Sequence, residues 1–106
     1  GQGSEFLKKL QTPDGAIADS TNKLFSIWET VLASQALIIA DSNKANPTII
    51  KAIEYLKNNE NGEGLVCHNQ KCKEGFCTET SAIYLELLGN IYGAETIKDR
   101  AITLAN

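Results

Sequence analysis

Apolar residues fall on one face of a helix at Ile49, Ala52, Ile53 and Leu56, while Lys51, Glu54 and Lys57 take the positions between them. This spacing predicts an amphipathic helix with one wet side. Asn46-Pro47 marks its start, since asparagine caps free amides and proline suits the first helical position. Ile97, Ala101 and Leu104 make a similar stripe among Lys98, Asp99 and Arg100. Two other stretches, 28–40 and 80–88, are apolar around most of their circumference, as expected of helices packed on several sides. No stretch reads convincingly as a strand. The pattern predicts an all-α chain in which half-wet outer helices alternate with nearly apolar inner ones, as tandem helical hairpins.

The pattern also repeats. FLKKLQTPDGAI, starting at Phe6, lies over YLKNNENGEGLV, starting at Tyr55, at an offset of 49 residues. Phe6, Leu7, Lys8, Gly15 and Ile17 meet Tyr55, Leu56, Lys57, Gly64 and Val66, and Asp14 meets Glu63. One added residue later Glu29-Thr30 meets Glu79-Thr80 and Leu37 meets Leu87. Arg100-Ala101-Ile102 repeats Lys51-Ala52-Ile53 at the first offset, so a third unit begins near the end of the chain. The expected organisation is repeat 1 over 6–46, repeat 2 over 47–93 and the start of a third over 94–106. Such units bury their apolar faces on their neighbours.

Between outer and inner helices lie 11–25 and 60–76, rich in Gly, Asn, Asp, Lys and Ser, which read as loops too polar for core. Pro13-Asp14-Gly15 is a turn by its chemistry, with Gly64 at the equivalent place in the second copy. Ser26-Ile27-Trp28-Glu29 reads as a capping box worth about 1 kcal/mol, and Thr78 as the cap of the second inner helix. Glu29 and Glu79 then complement the helix macrodipole.

Composition narrows the picture. With 106 residues, 42% hydrophobic, the chain fits one small domain. A net charge of −3 gives no electrostatic reason to expect nucleic acid or an anionic membrane as partner. No apolar run approaches the roughly 18 residues of a membrane span. No signal or transit peptide is visible. The chain holds no methionine and opens with GQGSEF, so residues 1–5 read as a remnant of cloning and the rest as a segment of a longer protein.

Phe6-Leu7, Gln11, Gly15 and Ile17 have the spacing of the QW motif and resemble that of squalene and oxidosqualene cyclases, with Ile17 in place of the final tryptophan. The second copy has Glu60 for the glutamine and Val66 for the tryptophan. WETVLASQAL from Trp28 and TETSAIYLELL from Thr78 are similar to inner helices of terpenoid cyclases, protein prenyltransferase beta subunits and complement-type thioester domains. The resemblance implies an α/α toroid. It does not carry those families' chemistry across, because the chain has no DxDD-type acid, no DxC zinc element and no Cys-Gly-Glu-Gln sequence. Nor do two repeats close a toroid that takes about six hairpins in the family.

One cluster has metal-ligand character: Cys67, His68, Cys72 and Cys77, spaced C-H-x3-C-x4-C. Three thiols and an imidazole suit tetrahedral zinc or, less well, an iron–sulfur cluster. Adjacent Cys67 and His68 would strain a shared tetrahedron. The Cys-His pair is also similar to zinc ligands of lanthionine cyclases, although the glycine that follows there is Asn69 here. The same residues fit a short-loop disulfide worth roughly 2 kcal/mol with the third cysteine in the core, or three reduced thiols. Cys77, aligned with Trp28, is the candidate for that core position. The reduced or disulfide state is expected, and elemental analysis separates them from metal.

Trp28, Glu29, Glu79 and Tyr84, with Phe25, are candidates for lining a cavity, the aromatic faces suiting a cation or lipid; the plain alternative is packing and helix-start electrostatics. No catalytic residue stands out, since the single histidine allows no Ser/His/Asp arrangement. The sequence therefore points first to a non-catalytic α/α-repeat module for binding or structure within a larger prenyltransferase- or squalene-cyclase-like protein. The second reading is a fragment of an enzyme acting on isoprenoids whose catalytic site lies in other repeats, and the third is a small zinc-binding unit built on residues 67–77. The first needs no cofactor and the third needs zinc. The expected partners are further repeats, or a second copy docking through inner-helix residues Val31, Leu37, Ile83 and Leu87, unless these faces repack within the chain.

Overall fold

The computed structural model describes residues 9–18, 26–40, 46–69, 72 and 75–106. Phe6, Leu7, Lys8 and Phe25, on which the repeat alignment and one cavity assignment draw, lie outside these, as do residues 1–5. Among the described residues the chain is all-helical: α1 (Ser26–Ala40), α2 (Pro47–Asn58), α3 (Thr78–Tyr92) and α4 (Ala94–Ala105). Lys9 and Leu10 carry helical backbone before the first turn, and an isolated bridge pairs Gln11 with Ile17.

The start of α2 follows its sequence. Asn46 accepts a hydrogen bond from the Thr48 amide at 2.9 Å, and Pro47 opens the helix. Ile49, Ala52, Ile53 and Leu56 are buried while Lys51, Glu54 and Lys57 are exposed. Helix α1 packs against α2 and α3, and α3 packs against α4. The shared core comprises Ile27, Val31 and Leu37 of α1, the α2 stripe, and Tyr84, Leu85, Leu87 and Leu88 of α3, flanked by Ile97, Ala101 and Leu104 of α4.

That core packs the expected docking face within the chain. Val31, Leu37 and Leu87 are fully buried and Ile83 is half-buried, because α1, α2 and α3 turn these side chains into one another. The exposed large apolar side chains on α1 are instead Leu32 and Ile39, the latter 79% exposed.

Local geometry recurs at the offset seen in the sequence. The Gly15 amide donates to the Thr12 carbonyl at 2.9 Å, and the Thr12 amide to the Ala16 carbonyl at 2.8 Å. The Gly64 amide donates to Asn61 at 3.1 Å, and the Asn61 amide to Leu65 at 2.7 Å. Both turns end on a glycine at positive φ, 101° at Gly15 and 78° at Gly64. Each glycine also abuts a following helix, Gly15 at Lys51 of α2 and Gly64 at Arg100 of α4, again 49 residues apart. Gln11 donates from Nε2 to the Thr48 carbonyl of α2 at 2.8 Å, while Glu60, its counterpart, pairs with Arg100 of α4 at 3.5 Å.

The loops are not polar throughout, as their composition suggested. Ala16, Ile17 and Ala18, and equally Leu65, Val66 and Cys67, are buried. A buried loop must satisfy its backbone groups. Thr30 Oγ1 accepts from the Ile17 amide at 2.9 Å and donates to the Ser26 carbonyl at 2.6 Å. Ser81 Oγ accepts from the Val66 amide at 3.1 Å and donates to the Val66 carbonyl at 2.8 Å. The counterpart of Thr30 in this role is thus Ser81, one residue beyond the Thr80 that the alignment supplies.

Two expected caps are also corrected. The Ser26 hydroxyl meets Tyr55 Oη at 2.7 Å, joining α1 to α2. Thr78 is already helical, and the cap position belongs to Cys77, whose side chain makes no cap hydrogen bond.

Candidate metal centre

The described part of the second loop runs between the N-termini of α1 and α3. The His68 carbonyl accepts from the Trp28 amide in the first turn of α1 at 3.1 Å. The Cys77 amide donates to the Val66 carbonyl at 3.0 Å, and the Cys77 carbonyl accepts from Ser81 at 2.8 Å as α3 begins. Residues 66–68 thus lie against the first turn of α1 and the head of α3. Partial positive charge from two helix ends is therefore directed at the side chains of this loop.

Cys67, His68, Cys72 and Cys77 bring one ligand atom each to this place, and all four atoms lie within 4.8 Å of one another. Cys67 Sγ is 3.2 Å from Cys77 Sγ and 3.7 Å from His68 Nδ1. His68 Nδ1 is 2.6 Å from Cys77 Sγ, and the His68 amide donates to the same sulfur at 3.3 Å. Cys67 and Cys72 are joined as a disulfide, with 5.9 Å between their Cα atoms. Cys72 Sγ also lies 3.6 Å from the carbonyl and 3.8 Å from the Oδ1 of Asn69, a buried residue that the spacing argument passed over.

Zinc bonds of about 2.3 Å to sulfur and 2.0–2.1 Å to nitrogen set ligand atoms about 3.6–3.8 Å apart around a tetrahedron. The Cys67–His68 separation meets this despite the adjacency of the two residues, because the imidazole reaches inward through Nδ1. The Cys67–Cys77 and His68–Cys77 contacts are tighter and would open around an ion. Cys67 is the fully buried member, whereas Cys77, expected in the core, is half-buried. The reason is the shift at the head of α3: Cys77 caps the helix rather than packing inside it.

A cleft of about 250 Å³ opens beside the cluster, lined by Trp28, His68, Cys77, Glu79 and Thr80. Thr80 gave no sign of this in the sequence beyond its place one residue after Glu79. Glu29 is half-buried in the first turn of α1 and does not line the cleft. Tyr84 lies apart from it, buried, with its hydroxyl donating to Glu60 Oε2 at 2.5 Å. Burial first, and then the Glu60 hydrogen bond, push the Tyr84 phenol well above its ordinary pKa. Glu60 also holds Arg100, so this group ties the second turn to α3 and α4.

No family model, curated protein or solved structure matches this chain. Among the described residues no helix is long and apolar enough to cross a membrane.

Proposed function

We propose that this chain is a non-catalytic α/α-repeat module of the toroid type, serving binding or structure beside further repeats, with its second loop fixed by a zinc ion on Cys67, His68, Cys72 and Cys77. The observation that carries the metal reading is the convergence of four ligand atoms within 4.8 Å. A disulfide needs only Cys67 and Cys72. Bringing Cys77 and the His68 imidazole to the same point is surplus to a disulfide and is what a tetrahedral ion requires. Four protein ligands also close the coordination sphere, which is the pattern of structural rather than catalytic zinc. When bound, the ion supplies a positive charge and a cross-link.

The residues around it define what that cross-link joins. The His68 carbonyl holds the first turn of α1, and the Cys77 backbone holds the start of α3. The centre thus fastens one repeat to the next, a constraint of the kind that stabilises a small core. The repeat reading is supported by turns, glycine contacts and hydroxyl clamps that recur in the second copy.

Elemental analysis of protein purified under reducing conditions without chelator tests the metal. One zinc per chain is expected, lost together with thermal stability in Cys72→Ser. Reduced, folded protein free of zinc would overturn it.

A further inference from the structure

The zinc and disulfide states of this cluster are mutually exclusive, because both need the sulfurs of Cys67 and Cys72. We propose that the two are alternative states of one redox switch: a peroxide-class oxidant joins Cys67 to Cys72 and expels the ion. This rests on the zinc reading above.

The geometry supports each part. The Cys67 and Cys72 Cα atoms, 5.9 Å apart, lie within the span that a disulfide bridges without backbone movement. Cys77 is the poorer partner for oxidation, since its amide and carbonyl are both held, by Val66 and by Ser81, at the fixed head of α3. Cys72 stands in the loop and is more exposed than the buried Cys67, so it meets the oxidant first. Its thiolate attacks one peroxide oxygen: an S–O bond forms, the O–O bond breaks, and hydroxide leaves to take a proton and become water. The Cys67 thiolate then attacks the Cys72 sulfur, forming the S–S bond and releasing a second hydroxide, which is protonated in turn. Two thiolates lose two electrons in all and the peroxide gains them. Zinc is left with His68 and Cys77, too few ligands to retain it. An external dithiol reverses the sequence by exchange and is itself oxidised.

Release also changes the cleft. His68 and Cys77 both line it, so the oxidised state presents an imidazole and a thiol where the zinc state presents neither.

The test uses protein whose zinc content has been measured under reduction. Hydrogen peroxide is added in stoichiometric steps while a chromophoric chelator reads zinc release and peptide mass mapping reads the cysteines. The expected result is release of one zinc per chain in step with loss of two thiols, a disulfide mapped between Cys67 and Cys72, and recovery on adding dithiothreitol and zinc. Zinc retained at excess peroxide overturns the switch and leaves the metal site standing. So does release through sulfinic or sulfonic acids, or through disulfides between chains. Reduced protein with no zinc before any peroxide is added overturns both.

Discussion

Gly15→Ala and Gly64→Ala change equivalent positions of the two repeats, and the structure predicts unequal costs. Both glycines sit at positive φ, so a β-carbon costs about 1–2 kcal/mol at either place through backbone strain alone. Their surroundings then separate them. At Gly15 the added carbon would run into the Lys51 carbonyl, 2.8 Å from its carbon, and only a shift of α2 relieves it. Overpacking of that kind adds about 1–3 kcal/mol. At Gly64 the obstruction is the Arg100 side chain, with Nε at 2.5 Å, which can swing away. The swing forfeits at most the Glu60 pair, partly exposed and worth about 0–1 kcal/mol. Gly15→Ala should therefore cost about 2–5 kcal/mol and Gly64→Ala about 1–3 kcal/mol. Urea unfolding of zinc-loaded protein measures the difference. Equal costs, or a larger cost at Gly64, would refute the argument that each turn is wedged against the outer helix of the next repeat.

Thr30→Val leaves the buried Ile17 amide without its acceptor, and Ser81→Ala does the same to Val66, so each should lose about 1–3 kcal/mol in urea unfolding; a loss below about 0.5 kcal/mol would show that the loops are not clamped by these hydroxyls. Tyr84 keeps its proton in the folded chain above the pH at which the unfolded chain loses it. Its contribution is complete below about pH 10 and falls above it by about 1.4 kcal/mol per pH unit. Tyr84→Phe should flatten that alkaline decline, and an unchanged slope would place the loss elsewhere.

Most of the helical frame is legible in the sequence. The stripe of α2 and its Asn46-Pro47 start are local signals, and the structure follows them. The spacing of Gly15 and Gly64 carries the repeat, since the turn they end needs a conformation glycine adopts without strain. What was hidden depends on contacts distant in the chain. The loop triplets around Ile17 and Val66 are core only because hydroxyls 13 and 15 residues onward satisfy their backbone. Ser26 serves Tyr55 rather than its own helix end, a choice that local capping preferences do not reveal. Cys77 lost its expected core position because α3 begins only at Thr78, which leaves Cys77 at the helix head, whereas Trp28, its partner in the alignment, lies inside α1. On α1 the exposed large apolar side chains are Leu32 and Ile39 rather than the expected Val31 and Leu37, which pack against α2 and α3.

Zinc K-edge X-ray absorption on the zinc-loaded, reduced protein tests the central claim most directly, because it counts ligands by element and distance. The account predicts three sulfur neighbours at about 2.3 Å and one nitrogen at about 2.0–2.1 Å. A first shell of oxygen and nitrogen alone would contradict it.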